Sequence, residues 1–135
     1  MGGVGSVTHL LDTHTLLWMV GDPDRLGPAA RGVVEDPQQA LYVSAASTWE
    51  IATKRRLGRL PHADVLVTNY ARHLRRLDLR PVPISDDHAL VAGGLDWAHR
   101  DPFDRMLAAV AMVEGWILVT RDPAFGSLPG LRTLW

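Results

Sequence analysis

The chain has 135 residues, 47% of them hydrophobic, which is the size of one domain with enough apolar side chains to fold around a core of its own. It contains no cysteine, which excludes a disulfide scaffold, a thiolate zinc finger and thiol catalysis, and permits a reducing cytoplasm. A net charge of −1 excludes attraction of the whole molecule to nucleic acid, although all but one of the 14 basic residues are arginine and Lys54 is the single lysine.

Thr8-His9-Leu10-Leu11 reads as a buried strand ending at Asp12. Thr13 to Val20 reads as a helix stopped by Gly21-Asp22-Pro23-Asp24, and Pro28 to Glu35 as a second, with proline in its first turn. Leu41 to Val43 is a strand. Ser44 to Leu57 is a helix capped by Ser44 or Ser47, and His62 to Leu77 a longer one. Arg80-Pro81-Val82-Pro83 is extended, and its two prolines place it at a sheet edge. Ser85 caps a helix that ends near Gly93-Gly94. Asp101-Pro102 opens a strongly apolar helix to Glu114, which Gly115 terminates. Trp116 to Thr120 is a strand, and Leu131 to Leu134 a last one. Residues 1–7 read as a flexible tail without the basic and apolar regions of a secretory signal, and 8–135 as one domain. The longest apolar run, Met106 to Val113, is far shorter than the roughly 20 residues of a membrane span. Strands alternating with helices predict an α/β fold: a three-layer α/β/α sandwich with a central parallel sheet of four or five short strands.

In such a sheet, ligands bind beyond the carboxyl ends of the strands. Asp12 and Asp122 follow the first and fourth strands directly. Glu50 and Asp104 are acids in apolar surroundings, in Ser47-Thr48-Trp49-Glu50-Ile51 and Pro102-Phe103-Asp104-Arg105-Met106. Each has a local explanation: turn closure for Asp12 and Asp122, an i,i+4 pair with Lys54 for Glu50, and dipole compensation for Asp104. Asp101 is expected as an N-cap. If the four converge, two carboxylates about 5 Å apart repel by roughly 3 kcal/mol at an effective dielectric near 20. A divalent cation would neutralise that charge, and an all-oxygen ligand set selects a hard ion, Mg²⁺ or Mn²⁺.

Four segments, Leu10 to Trp18, Val43 to Lys54, His99 to Ala109 and Leu118 to Phe125, resemble in order and spacing the PIN-domain ribonucleases, specifically the VapC-type toxins of toxin–antitoxin pairs. The resemblance spans Thr8 to Leu134. It implies an α/β/α sandwich and a Mg²⁺- or Mn²⁺-dependent endoribonuclease that inhibits translation and growth. Asp12, Asp104 and Asp122 are implied to hold the ion, with Glu50 completing its shell directly or through water and orienting the attacking water, so that in-line attack leaves 5′-phosphate and 3′-hydroxyl ends. Thr120 is placed to hold a water or a carboxylate. Arg105, Arg121, Lys54 and Arg55 are the expected contacts to RNA phosphates. The resemblance also implies a transfer or ribosomal RNA substrate, a cognate antitoxin, a homodimer and a cytoplasmic location. His14 is read as structural, because a first helical turn carries it away from the pocket.

Other readings fit less well. Receiver domains and many phosphoryl-transfer enzymes use a lysine after a late strand, and none follows Lys54. Haloacid dehalogenases carry Asp-x-Asp where this chain has Asp12-Thr13-His14. A flap-type DNA nuclease needs a helical arch, for which there is little room. A non-catalytic module using the acids to dock a basic partner is separated from a nuclease by an RNA-cleavage assay.

Overall fold

Leu10 and Leu11 are adjacent in a strand, point to opposite faces, and are both fully buried. Only a sheet covered on both sides buries both, which is why the strand sequences show no polar alternation. The computed structural model describes residues 7–60 and 63–135. The strands β1 (Thr8–Leu11), β2 (Ala40–Ser44), β3 (Leu79–Val82), β4 (Ile117–Val119) and β5 (Thr133–Leu134) form one sheet in the order β3-β2-β1-β4-β5. Every neighbouring pair is parallel. β1 is central, with Leu11 opposite Val43 on one side and Val119 on the other.

The helices are α1 (Thr13–Gly21), α2 (Pro28–Glu35), α3 (Ala45–Arg56), α4 (Ala63–Val67), α5 (Tyr70–Arg76), α6 (Asp86–Gly94) and α7 (Pro102–Glu114), with short 3-10 turns at Pro23–Arg25 and Pro123–Ser127. On one face, Leu11, Val43 and Val119 pack against Leu16, Leu17, Ala30, Ile51, Leu66 and Leu74 from α1 to α5. On the other, Leu10 and Leu118 pack against Leu107, Ala108, Val110 and Ala111 of α7, with Phe125 and Leu128. Truncating any of these fully buried leucines to alanine costs about 2–5 kcal/mol.

The local signals act as expected at most boundaries. Ser44, rather than Ser47, caps α3, its Oγ accepting from Ala46 N at 3.0 Å. Ser85 and His88 form a reciprocal capping box on α6. Asp101 accepts from Phe103 N and Asp104 N at the start of α7, and Gly115 ends that helix at φ 73°. β3 lies at the edge, where Pro81 needs no second partner for its missing N–H. The long helix expected over His62 to Leu77 is instead two: α4 ends at Val67, and Asn69 in the left-handed region (φ 63°, ψ 40°) turns the chain into α5. Asparagine tolerates that conformation better than most residues, so a break needs neither glycine nor proline. His62 and the tail residues 1–6 lie outside the described residues.

Candidate active site

All five strands end on the same edge, and the chain leaves β1 there through Asp12. Its carboxylate is only 6% exposed. Oδ1 caps α1, accepting from Thr15 N at 2.7 Å, with the Thr15 hydroxyl also at 2.7 Å and within 2.9 Å of Val119 O. Oδ2 accepts from Thr120 Oγ1 at 2.5 Å. Burial pushes the Asp12 carboxyl above its ordinary range, against the lowering effect of the Thr120 and Thr15 hydrogen bonds. Thr120 Oγ1 in turn accepts from Asp122 N at 3.0 Å, so one hydroxyl joins the ends of β1 and β4. The Asp122 carboxylate is exposed and caps the next 3-10 turn through Ala124 N at 2.9 Å.

Glu50 lies in α3, just after β2, and is 3% exposed. Its Oε1 accepts from Thr13 Oγ1 at 2.6 Å, which ties it to the residue following Asp12; Ser47 Oγ stands 3.0 Å from the same hydroxyl. Its Oε2 is paired with Lys54 Nζ. Asp104 is in the first turn of α7, and that helix runs back to the start of β4, so its N-terminus lies at the strands' carboxyl edge. Trp49 and Phe103, the neighbours of Glu50 and Asp104, meet edge to face at 4.7 Å. The Asp104 carboxyl is pushed up to about 6, chiefly by burial, with His99 pulling down and the charges of Asp101 and Glu50 pushing up. His99 Nε2 is 2.7 Å from Asp104 Oδ2.

The four expected acids therefore lie toward one edge: Thr120 joins the Asp12 carboxylate to the backbone N–H of Asp122, and the charge of Glu50 reaches Asp104. Among the described residues no three His, Asp or Glu side chains are gathered tightly enough to hold a metal ion as they stand. The basic residues divide. Arg121 is exposed beside the acids and lines a cavity of about 310 Å³ with Asp12, His14, Trp18, Asp122 and Pro123. Lys54 is held by Glu50, and Arg55 forms an exposed pair with Asp64 at 2.5 Å. Arg105, expected to contact phosphate, has a different task. Its guanidinium donates to Ala92 O, Leu95 O, Trp97 O and His99 O at 2.8–3.1 Å, using four of its five N–H donors to pin the last turn of α6 and the loop that leads to α7.

Sequence reasoning passed over four residues here. Thr13 and Thr15 hold Glu50 and Asp12; their hydroxyls next to an aspartate at a strand end were the available signal. His99 faces Asp104, and the i,i+5 spacing gave no hint because the loop, not a helix, brings it there. His14 is exposed and lines the cavity with Asp12, contrary to the structural role expected of it.

A protein-family model described as "PIN domain" matches residues 9–131. The chain is 32% identical over 118 residues to Ribonuclease VapC22 of Mycobacterium tuberculosis, covering 85% of this chain and 87% of that protein. Among solved structures it resembles a chain of VapBC2 from Rickettsia felis bound to a promoter DNA fragment, with TM-score 0.69, 14% identity and coverage of 95% and 98% of the two chains. A chain of DNA-bound VapBC from Salmonella typhimurium also matches, with TM-score 0.69, 18% identity and coverage of 95% and 97%.

Proposed function

We propose, on the premise that this chain belongs to the PIN-domain family, that Asp12, Glu50, Asp104 and Asp122 form a divalent-cation site at which RNA is cut. The chain is a VapC-type ribonuclease, the toxin of a toxin–antitoxin pair, and the ribonuclease relative supports an RNA substrate. The observation that carries the site is the joining of the β1 and β4 ends at Asp12 by one threonine hydroxyl, with the part-buried Asp104 carboxyl near enough to Glu50 to feel its charge.

The donor set fits a hard cation. It is all carboxylate oxygen, and the Asp104 carboxyl is raised chiefly by burial and further by the charges of Asp101 and Glu50, both of which a bound cation would offset. Asp12, Asp104 and Asp122 would hold Mg²⁺, or Mn²⁺ in its place, with Glu50 completing the shell. Bound there, such an ion supplies Lewis-acid polarisation of the phosphodiester and a more acidic water. The chain's own residues do the positioning. Thr15 and Thr120 fix both oxygens of Asp12, Thr13 and Lys54 fix those of Glu50, and His99 fixes Asp104. Glu50 orients the attacking water, and in-line displacement leaves 5′-phosphate and 3′-hydroxyl ends. Arg121 stands exposed beside the acids as a phosphate contact; Lys54 and Arg55 would reach phosphate only with donors beyond those paired to Glu50 and Asp64, and Arg105 is withdrawn because four of its five donors are used within the fold.

A cognate antitoxin is the expected protein partner, with the chain acting as a homodimer in the cytoplasm on a transfer or ribosomal RNA. No helix among the described residues is long and apolar enough to cross a membrane. The test is Asp12→Asn, which keeps an oxygen to cap α1 while removing the charge. Cleavage of single-stranded RNA in Mg²⁺ or Mn²⁺ is expected to be lost, and undiminished cleavage would remove Asp12 from the reaction. Induced expression in a bacterium is expected to arrest growth and create new RNA 5′ ends.

A further inference from the structure

The cavity beside Asp12 and Asp122 does not stand alone. A second, of about 430 Å³, is lined by His14, Leu17, Trp18, Asp22, Arg25, Arg59 and Leu60. The two share His14 and Trp18 as a common wall. These residues are one helical turn apart on α1, with ring centroids 5.7 Å from each other, and both reach solvent. Trp135 supports the Trp18 ring from its edge at 5.5 Å. The Arg25 guanidinium lies 5.9 Å from the Trp18 centroid, held by Asp22 at 3.0 Å. Arg59 is exposed and has no ion-pair partner among the described residues.

We propose that this furrow along α1 is the track on which single-stranded RNA lies. A base flanking the scissile phosphate stacks on Trp18 and His14, while Arg121 on one side and Arg25 and Arg59 on the other contact the backbone. The inference rests on the ribonuclease reading of the adjoining acids and adds to it the residues that hold the substrate. Three features support the track, and the first of them selects a single strand. An aromatic wall open to solvent offers a face to an unstacked base, whereas the bases of a duplex are already stacked on one another. Cations stand at both ends of that wall, as needed to follow a phosphate backbone. The furrow begins at the carboxylates, so a strand seated in it passes the reacting group.

The test measures binding of an end-labelled, unstructured 12-nucleotide RNA by fluorescence anisotropy in Mg²⁺, using the Asp12→Asn chain so that the RNA stays uncut. Trp18→Leu is expected to weaken binding by about tenfold to a hundredfold, and Trp18→Phe by less than about threefold. Arg59→Gln, an exposed change independent of the Trp18–Trp135 packing, is expected to lower the salt dependence of binding by about one. A duplex of the same length should compete poorly. Unchanged affinity and salt slope in Trp18→Leu and Arg59→Gln would overturn the proposal, as would equal competition by the duplex or no binding by the Asp12→Asn chain. Loss of antitoxin binding in those variants with RNA binding intact would also overturn it, assigning the furrow to the protein partner. RNA cleavage by the unsubstituted chain, measured separately, tells failure of the track from failure of the ribonuclease reading.

Discussion

Replacing Asp104 by asparagine should make the metal-free protein more stable at neutral pH while ending its activity. In the fold, burial and the charges of Asp101 and Glu50 raise the Asp104 carboxyl from 3.8 to about 6. An acid raised on folding stabilises the native state fully below its unfolded value and loses that contribution as pH rises through its folded value. Above about pH 7 the ionised side chain therefore lowers stability by roughly 3 kcal/mol, and near pH 5 by about half of that. Asparagine keeps an oxygen for His99 Nε2, 2.7 Å from Asp104 Oδ2, and removes the charge. For a chain of this length, the thermal midpoint of Asp104→Asn should exceed that of the parent by about 10 °C at pH 7.5, with a visibly smaller gap at pH 5. The assay is thermal unfolding in a chelator across this pH range. Added Mg²⁺ should raise the parent's midpoint and leave the variant's nearly unchanged. A variant no more stable than the parent at pH 7.5, or a difference constant with pH, would refute the claim that folding raises the Asp104 carboxyl.

Thr120→Val removes the hydroxyl shared by Asp12 and Asp122 N and should lower RNA cleavage about 10- to 100-fold, with Thr120→Ser restoring most of it. Arg105→Lys replaces a fork bonded to four carbonyls with a single ammonium; urea unfolding should show a loss of about 2–3 kcal/mol. Gly27→Ala would bring a methyl within 2.5 Å of Trp135 Cδ1 and 2.8 Å of its backbone carbon. The backbone there (φ −66°) accepts any residue, so the expected loss of about 1–3 kcal/mol, read from the same unfolding curves, is purely steric.

The elements were legible where a local rule determines them. Asp12, Ser44, Ser85 and Asp101 each cap the helix they precede, Gly115 ends α7, and prolines 81 and 83 keep β3 at the edge. The rule that strand ends in a parallel sheet share a side placed Asp12 and Asp122 on one edge; Glu50 and Asp104, which lie in helices, joined them only through the family resemblance. What the sequence did not reveal depends on direction rather than residue type. Asn69 breaks a helix by its backbone angle. Arg105 turns back to carbonyls of a loop whose path has no periodicity. His14 lines the cavity because the first turn of α1 faces it, an orientation that spacing from Asp12 alone does not fix.

The hydrogen bond from the Thr120 hydroxyl to Asp12 spans 108 positions of the chain. Because β1 sits between β2 and β4, one of its two neighbours is synthesised long after it. At ribosomal speeds of about 5–20 residues per second, on the order of ten seconds separates Asp12 from the threonine that holds it. Throughout that interval the nascent polypeptide carries Asp12 without the hydroxyl that orients it, so the carboxylate at the end of β1 takes its native geometry only once β4 has emerged and paired.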